Sequence, residues 1–383
     1  MAKVSILFIT TGLYVGGAEM MLHRLLSRLD PTRFNARVIS LIALGPVSDK
    51  IRSLGVPVDT LDMTPGRPTP ASVLGLARVI RRHRPDVIQT WMYHADLLGA
   101  LATRLAGRIP MAWGIRHSDP GAQGYGPFTS LTIKVCARLS RWIPKRIVCC
   151  SEASRLAHAA IGYDEDKMVV IPNGFDVDRL RPDPTARQDV RHALGIPAEA
   201  SVIGLVGRFH PQKDHRTFVE AARRLSTVRP ETRFVLCGEQ VTWDNTDLSA
   251  WIDEAGLRPV CHLLGRREDV PRVMASFDLA TSTSSYGESF ANVVSEAMSC
   301  GVPCVVTNVG DSAHIVGETG VVVPPKDPVA LARAWGQMLE LGTEQIGYVG
   351  AAARARVQRH FNLPQVVARY EALFEELACG ARR

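Results

Sequence analysis

The sequence predicts an α/β protein of two doubly wound, Rossmann-like domains facing across a cleft. Three observations carry this expectation. The 383 residues suit two domains of about 100–200 residues each better than a single core. Short apolar, β-branched runs recur without polar alternation, as parallel strands buried on both faces require. Helical periodicity separates nearly all of these runs, which is the doubly wound alternation. The composition, 46% hydrophobic and 22% charged with 31 glycines and 24 prolines, is that of an ordinary folded protein and sets disordered and fibrous classes aside.

Taken in order, strands are expected over 4–10, 37–42, 87–91, 111–115, 147–150 and 168–171, with helices over 19–29, 71–82, 94–105 and 152–160. The apolar run from 4 to 15 follows Lys3 as a short signal peptide would. It lacks an A-x-A cleavage site and the ~18 apolar residues of a membrane helix, so it reads as a buried first strand. The strongest turn cluster of the mid-chain, Pro172-Asn173-Gly174 followed by Arg181-Pro182-Asp183-Pro184, marks the domain break. Beyond it, strands are expected over 202–206, 234–237, 260–264, 279–281 and 303–307, and helices over 215–225, 248–255, 270–275, 290–299 and 330–340. The domains are therefore placed at 1–175 and 176–360, with a helical tail at 361–383. Ligands of open α/β sheets bind at the carboxyl ends of strands, which is where the site is sought.

Charge is divided unevenly. Residues 1–172 hold 22 Lys+Arg against 12 Asp+Glu, and 173–383 hold 23 against 26, within a net charge of +7. A basic first half points to phosphates, nucleic acid or an anionic membrane surface. The eight cysteines form no C-x-x-C pair and mostly lie in apolar stretches, which reads as buried thiols in a reducing cytoplasm. Cys300 and Cys304 have no second pair and no suitably spaced His to complete a zinc site, so no metal is expected.

Three segments carry candidate chemistry. The first strand runs into Gly12-Leu13-Tyr14-Val15-Gly16-Gly17 before a helix, a place where backbone amides can meet an anion. The spacing is not G-x-G-x-x-G, which counts against NAD. In the second half, a strand ends at Gly207-Arg208-Phe209-His210-Pro211-Gln212-Lys213-Asp214. Lys213 is one of seven lysines beside 38 arginines, so a point charge is wanted there, and two cations at a strand end suit a diphosphate that gains charge on leaving. The third segment is Tyr286-Gly287-Glu288-Ser289-Phe290-Ala291-Asn292, continuing to Glu296. Ser289 is expected to cap a helix starting at Phe290, with Glu288 ahead of it and Glu296 two turns in, roughly 10 Å apart along the axis. That ruler fits a nucleotide-sugar, with sugar hydroxyls at Glu288, diphosphate at the helix start and ribose at Glu296.

Together these pieces resemble family 4 of the retaining glycosyltransferases over nearly the whole chain. The elements are Gly16-Gly17-Ala18-Glu19, Arg116-His117-Ser118-Asp119, Ile171-Pro172-Asn173-Gly174-Phe175-Asp176, Gly207-Arg208 with Gln212-Lys213-Asp214, and the Glu288 and Glu296 pair. The resemblance implies the GT-B fold and transfer of a sugar from a UDP- or GDP-type nucleotide-diphosphate sugar to a glycan or lipid-linked acceptor, in bacterial polysaccharide biosynthesis. It implies no metal and no cofactor. It assigns Gly16 and Gly17 to the donor phosphate, Arg208 and Lys213 to the diphosphate, and Glu288 with Ser289, Phe290, Ala291 and Asn292 to the donor sugar and phosphate. Glu296 goes to the ribose and His117 to the neighbourhood of the transferred sugar. His117, Arg208, Lys213 and Glu288 form the catalytic set. It also implies that the tail from Phe361 crosses back to the first domain. Where the family commonly has E-G-F-G and G-G-x-x-E, this chain has Glu288-Ser289-Phe290-Ala291 and Gly310-Asp311-Ser312-Ala313-His314.

Between Pro127 and Pro144 a helix would set Lys134, Arg138 and Arg141 on one stripe beside Phe128, Leu131, Val135, Leu139 and Trp142, with no acidic residue from Pro127 to Val148. Such a face either meets an anionic membrane, making residues 127–146 a peripheral contact on the inner face of the cytoplasmic membrane, or is the solvated side of a helix docked on its own sheet. Two other functions compete: a nucleotide-sugar epimerase of the same fold, and, from another class, a nucleic-acid-binding protein. No known nucleic-acid motif appears and the basic residues are not interleaved with exposed aromatics on a strand face, so no nucleic-acid partner is expected.

Overall fold

The computed structural model describes residues 3–64, 68–121 and 126–381. The chain divides into two compact units, Met1–Gly174 with Leu363–Arg383, and Phe175–Asn362.

In the first unit, β1 (Val4–Thr10), β2 (Phe34–Ile42), β3 (Val58–Met63), β4 (Val87–Trp91), β5 (Met111–Ile115), β6 (Arg146–Cys149) and β7 (Met168–Val170) form one sheet in the order β3-β2-β1-β4-β5-β6-β7. Every pairing is parallel. The continuous apolar run of β1 follows from burial on both faces: Ile6 and Phe8 enter one core cluster, Leu7 and Ile9 the other. The helix Leu363–Ala381 closes the first of these clusters with Val366, Val367, Tyr370, Phe374 and Leu377. Phe374 meets Phe8 edge-on at 5.7 Å and Phe34 at 6.3 Å, so Phe374→Ala would cost about 3–5 kcal/mol.

In the second unit, β8 (Val202–Val206), β9 (Arg233–Cys237), β10 (Cys261–Leu263), β11 (Leu279–Ser282), β12 (Cys304–Thr307) and β13 (Gly320–Val323) form a parallel sheet in the order β10-β9-β8-β11-β12-β13. Gly204 in β8 is required by packing, because a Cβ there would lie 2.0 Å from the Phe277 ring.

Both sheets are the doubly wound kind expected, but the element map needs corrections. Two edge strands, β3 and β13, fall where none was expected. Helices Pro46–Arg52, Pro184–Ala193, Ser312–Val316 and Gly342–His360 were likewise not anticipated. The helix expected from Phe290 begins at Asn292, with Ala291 at its N-cap and no side-chain cap. Ser289 lies two residues ahead of that N-cap, and its carbonyl accepts from Asp311 N–H at 3.1 Å, which holds the segment against a neighbouring loop. Seven cysteines are buried thiols, while Cys379 is exposed. No helix among the described residues is long and apolar enough to cross a membrane.

Candidate active site

In the second unit, three loops converge at the carboxyl ends of β8, β11 and β12. Gly207 follows β8 and donates its N–H to the Cys237 carbonyl at 2.8 Å. Residues Pro211–Lys213 form a single 3-10 turn, and Asp214, at φ 47°, caps the helix His215–Ser226 by accepting from Thr217 N–H. This turn is strapped to the end of β11: the Thr283 hydroxyl donates to the Lys213 carbonyl at 2.6 Å and Ser285 N–H to the Gln212 carbonyl at 2.8 Å. Thr307 of β12 in turn donates to the Ser284 carbonyl at 2.6 Å.

The strapping brings Lys213 to Glu288. Lys213 Nζ donates to Glu288 Oε2 at 2.5 Å, and the Ser284 hydroxyl donates to the same oxygen at 2.9 Å. The two side chains are only 18% and 12% exposed, so the pair is shielded more than a surface ion pair. Arg208 is exposed and makes no ion pair among the described residues. His215, behind the turn, is pushed down to about 4 by burial and then by the Lys213 charge. It is neutral at physiological pH, so it adds no charge beside Arg208 and Lys213.

Gly310 fixes the third loop. Its φ is +58°, and a Cβ there would sit 1.8 Å from the Glu288 carbonyl oxygen, so the loop rests directly on the backbone of Glu288. Phe290 is buried, with its ring 6.0 Å from Phe175 and 5.4 Å from Phe361, and Ala291 is fully buried. Their side chains thus serve the core and anchor the segment carrying Glu288. Asn292 opens the short helix and Glu296 lies within it, half-buried.

In the first unit, Gly16 and Gly17 begin the helix Gly17–Arg28 with no side-chain cap. The Glu19 carboxylate curls over that terminus, 2.4 Å from where a Gly16 Cβ would lie, and burial pushes its pKa up against the pull of a backbone N–H. Trp91, ending β4, donates its indole N–H to the Ala18 carbonyl at 2.9 Å and offers its face to the Arg116 guanidinium at 3.6 Å. Trp91 therefore joins the Gly16-Gly17 turn to the Arg116-His117 segment after β5. Arg116 is buried, bonds Tyr370 Oη and Asn173 Oδ1, and has no carboxylate partner among the described residues.

His117 is held twice. Its carbonyl accepts from the Ser154 hydroxyl at 2.5 Å, and its ring stacks on Tyr93 at 6.1 Å. The Tyr93 hydroxyl lies 2.7 Å from His158 Nε2, and His158 Nδ1 lies 2.7 Å from the Ser154 carbonyl. Burial pushes His158 down to about 4, so it is neutral: Nδ1–H donates to Ser154 and Nε2 accepts from Tyr93. The turn that presents Tyr93 is strained at Met92, whose φ of 80° with ψ of 155° is a conformation natural to glycine.

Sequence reasoning overlooked Thr283, Ser284 and Thr307, which hold the Lys213 turn, and Tyr93, Ser154 and His158, which hold His117. The polar run Thr281-Ser282-Thr283-Ser284-Ser285 ending an apolar strand was the available signal for the first group. The structure gathers Arg208, Lys213, Glu288 and Ser289 in one unit, and Gly16, Gly17 and His117 in the other.

Residues 15–179 match the model of Glycosyltransferase Family 4, and residues 200–341 match that of Glycosyl transferases group 1. The chain belongs to glycosyltransferase family 4. Both models are of glycosyltransferase domains. It is 26% identical over 255 residues to the UDP-Gal:alpha-D-GlcNAc-diphosphoundecaprenol alpha-1,3-galactosyltransferase of Escherichia coli, covering 64% of this chain and 63% of that protein. It is 30% identical over 235 residues to the D-inositol 3-phosphate glycosyltransferase of Corynebacterium urealyticum, covering 57% of this chain and 55% of that protein. The chain thus spans somewhat less than two thirds of these curated relatives. Among solved structures, Anabaena HepE in complex with UDP-glucose superposes with a TM-score of 0.83 at 25% identity, over 97% of this chain and 99% of that one. HepE in complex with UDP reaches 0.86 at 24% identity, over 97% of this chain and 100% of that one. The family 4 fold here is GT-B.

Proposed function

We propose that this family 4 glycosyltransferase moves a hexose from a UDP- or GDP-type nucleotide-diphosphate sugar to a glycan or lipid-linked acceptor, with retention, in bacterial surface-polysaccharide assembly. The observation that carries the reading is the Lys213 turn, strapped to the strand ends beside Arg208 and against Glu288. Arg208 and Lys213 neutralise charge as it develops on the leaving diphosphate, a type of stabilisation whose single-group removal costs about 10²–10³ in rate. Glu288 holds the donor sugar hydroxyls and Glu296 the ribose, while the amides of Gly16 and Gly17 meet phosphate oxygens. His117 stands by the transferred sugar. In this reading no metal or cofactor takes part. The donor class is supported by the UDP and UDP-glucose bound to HepE and by the UDP-Gal in the name of the E. coli relative. That name also supports a lipid-linked acceptor.

The enzyme works at the inner face of the cytoplasmic membrane, touching it through residues 127–146. The helix Pro127–Leu139 docks on its own sheet through Ile133, Cys136 and Ala137, and exposes Leu131, Lys134 and Arg138 on the other side, followed by Arg141, Trp142 and Lys145.

Calorimetric titration with UDP, GDP, ADP and NAD tests the donor site. One nucleoside diphosphate should bind to the wild type and bind about tenfold more weakly to Lys213→Ala and Glu296→Ala. Binding of NAD alone, or of none, removes the basis for the reading.

A further inference from the structure

We propose that a cavity at the amino-terminal edge of the first sheet binds the phosphate head group of an anionic membrane lipid. The proposal rests on the membrane reading above and gives it a defined site. The cavity has a volume of about 700 Å³ and is walled by the end of the helix Tyr93–Ala106, the starts of β5 and β6, and the last turns of Leu363–Ala381. Met111, the first residue of β5, is in its wall, whereas Arg116 and His117 follow the other end of that strand, on the order of 15 Å away at the rise of a β-strand. It is therefore separate from the candidate active site.

Its charge is predominantly positive. Arg104, Arg108, Lys145 and Arg146 line the cavity against one carboxylate, Glu376, which pairs with Arg146 at 2.6 Å; the other three cations make no ion pair among the described residues. From 97 to 151 the chain has eight Lys+Arg and one acid, Asp119, which is not in the lining, so this stretch adds no carboxylate to the cavity beyond Glu376. A helix carbonyl end favours a cation in its last turn, which accounts for Arg104. It does not account for Arg108 and Lys145, which lie beyond any helix. Like charges around one opening repel until an anion joins them. Guanidinium groups grip phosphate oxygens as a fork and lysine adds a point charge.

The apolar part selects a lipid over a soluble anion. Trp142 lines the cavity with 68% of its surface exposed, and Ile143 and Leu377 continue an apolar wall beside it. Tryptophan with one wet and one apolar side belongs at the boundary between head groups and acyl chains. Cations above an apolar wall match a phosphate above its acyl chains.

The test is co-sedimentation of the full-length protein with vesicles of phosphatidylcholine alone or mixed with phosphatidylglycerol. Three variants are compared: Arg104→Gln/Arg108→Gln/Lys145→Gln, Trp142→Ala, and Lys134→Gln/Arg138→Gln on the neighbouring helix face. Calorimetry with UDP confirms that each is folded. The expected result is phosphatidylglycerol-dependent binding that falls about fivefold per cation removed, roughly a hundredfold in the triple variant, and also falls in Trp142→Ala. Retention of vesicle binding by the triple variant, with loss in Lys134→Gln/Arg138→Gln, overturns the cavity site and leaves the membrane reading standing. A wild type that ignores both vesicle types but binds inorganic phosphate, with loss in the triple variant, makes this a free-phosphate site and overturns the lipid proposal. A wild type that binds neither overturns the cavity site and the membrane reading together.

Discussion

Lys213 and Glu288, 75 residues apart, share a hydrogen bond of 2.5 Å in which the lysine donates to the carboxylate. The two residues proposed to hold the diphosphate and the sugar thus hold each other. Incoming phosphate must compete with Glu288 for Lys213. In Glu288→Gln the ammonium keeps a neutral neighbour and loses its counter-charge, so UDP should bind a few-fold tighter while transfer falls about a hundredfold. Calorimetry and initial rates on one preparation check this, and weaker UDP binding in the variant would contradict it.

Gly310 supports Glu288 from below. A methyl group there has no room against the Glu288 carbonyl, and φ of +58° adds strain for any other residue. Gly310→Ala should displace Glu288 and lower transfer at least tenfold while the melting temperature drops by only a few degrees. Activity equal to wild type would show that the loop can yield without moving the glutamate.

Around His117, the Tyr93 hydroxyl is the group to remove. Tyr93→Phe keeps the stacked ring but leaves His158 Nε2 buried without a donor, which should cost about 1–3 kcal/mol in unfolding free energy. If the network serves His117, the variant should also shift the His117 imidazole resonances in a histidine-labelled sample and reduce kcat several-fold with UDP affinity unchanged. A stability loss with unmoved His117 resonances would make the network purely structural.

Asp96 predicts a pH dependence. It is fully buried, accepts from the Thr90 hydroxyl at 2.5 Å, and burial pushes its carboxyl up to about 8. The folded state therefore keeps a proton that the unfolded chain releases near pH 4. Stability from this group is intact below that pH and declines as pH rises toward 8, by up to about 1.4 kcal/mol per pH unit. Asp96→Asn mimics the protonated acid and should flatten denaturant midpoints between pH 5 and 8 (roughly the window between the two values). An unchanged slope would mean another group sets it.

Strands buried on both faces were legible residue for residue: β1, β4, β5 and β8 begin and end where the apolar runs do. The edge strand β3 was not, because Val58-Asp59-Thr60-Leu61-Asp62-Met63 is half polar, with no continuous apolar run, on a half-solvated edge. Pro184 misled in another way. Arg181-Pro182-Asp183-Pro184 reads as a turn, yet Asp183 caps the helix Pro184–Ala193 and Pro184 occupies its first turn, where a missing N–H costs nothing. At the candidate site, residue types and strand ends were readable, whereas partners were not. Nothing in the spacing of Lys213 and Glu288 says they are paired, and nothing near Ser289 says that its carbonyl is taken by Asp311.

The chain leaves the first unit after Gly174 and returns at Leu363, and at that crossing Phe175 N–H donates to the Phe361 carbonyl at 2.9 Å. The second unit is thus an insertion whose two ends are tied together, and this sets a schedule for synthesis. When Gly174 has been made, Phe8, Phe34 and Trp91 still lack the helix Leu363–Ala381 that covers them. At about 5–20 residues per second the ribosome needs roughly 10–40 s to deliver it. Through that interval the nascent first unit waits with one apolar face open, while the second unit, contiguous in the chain, is free to fold first.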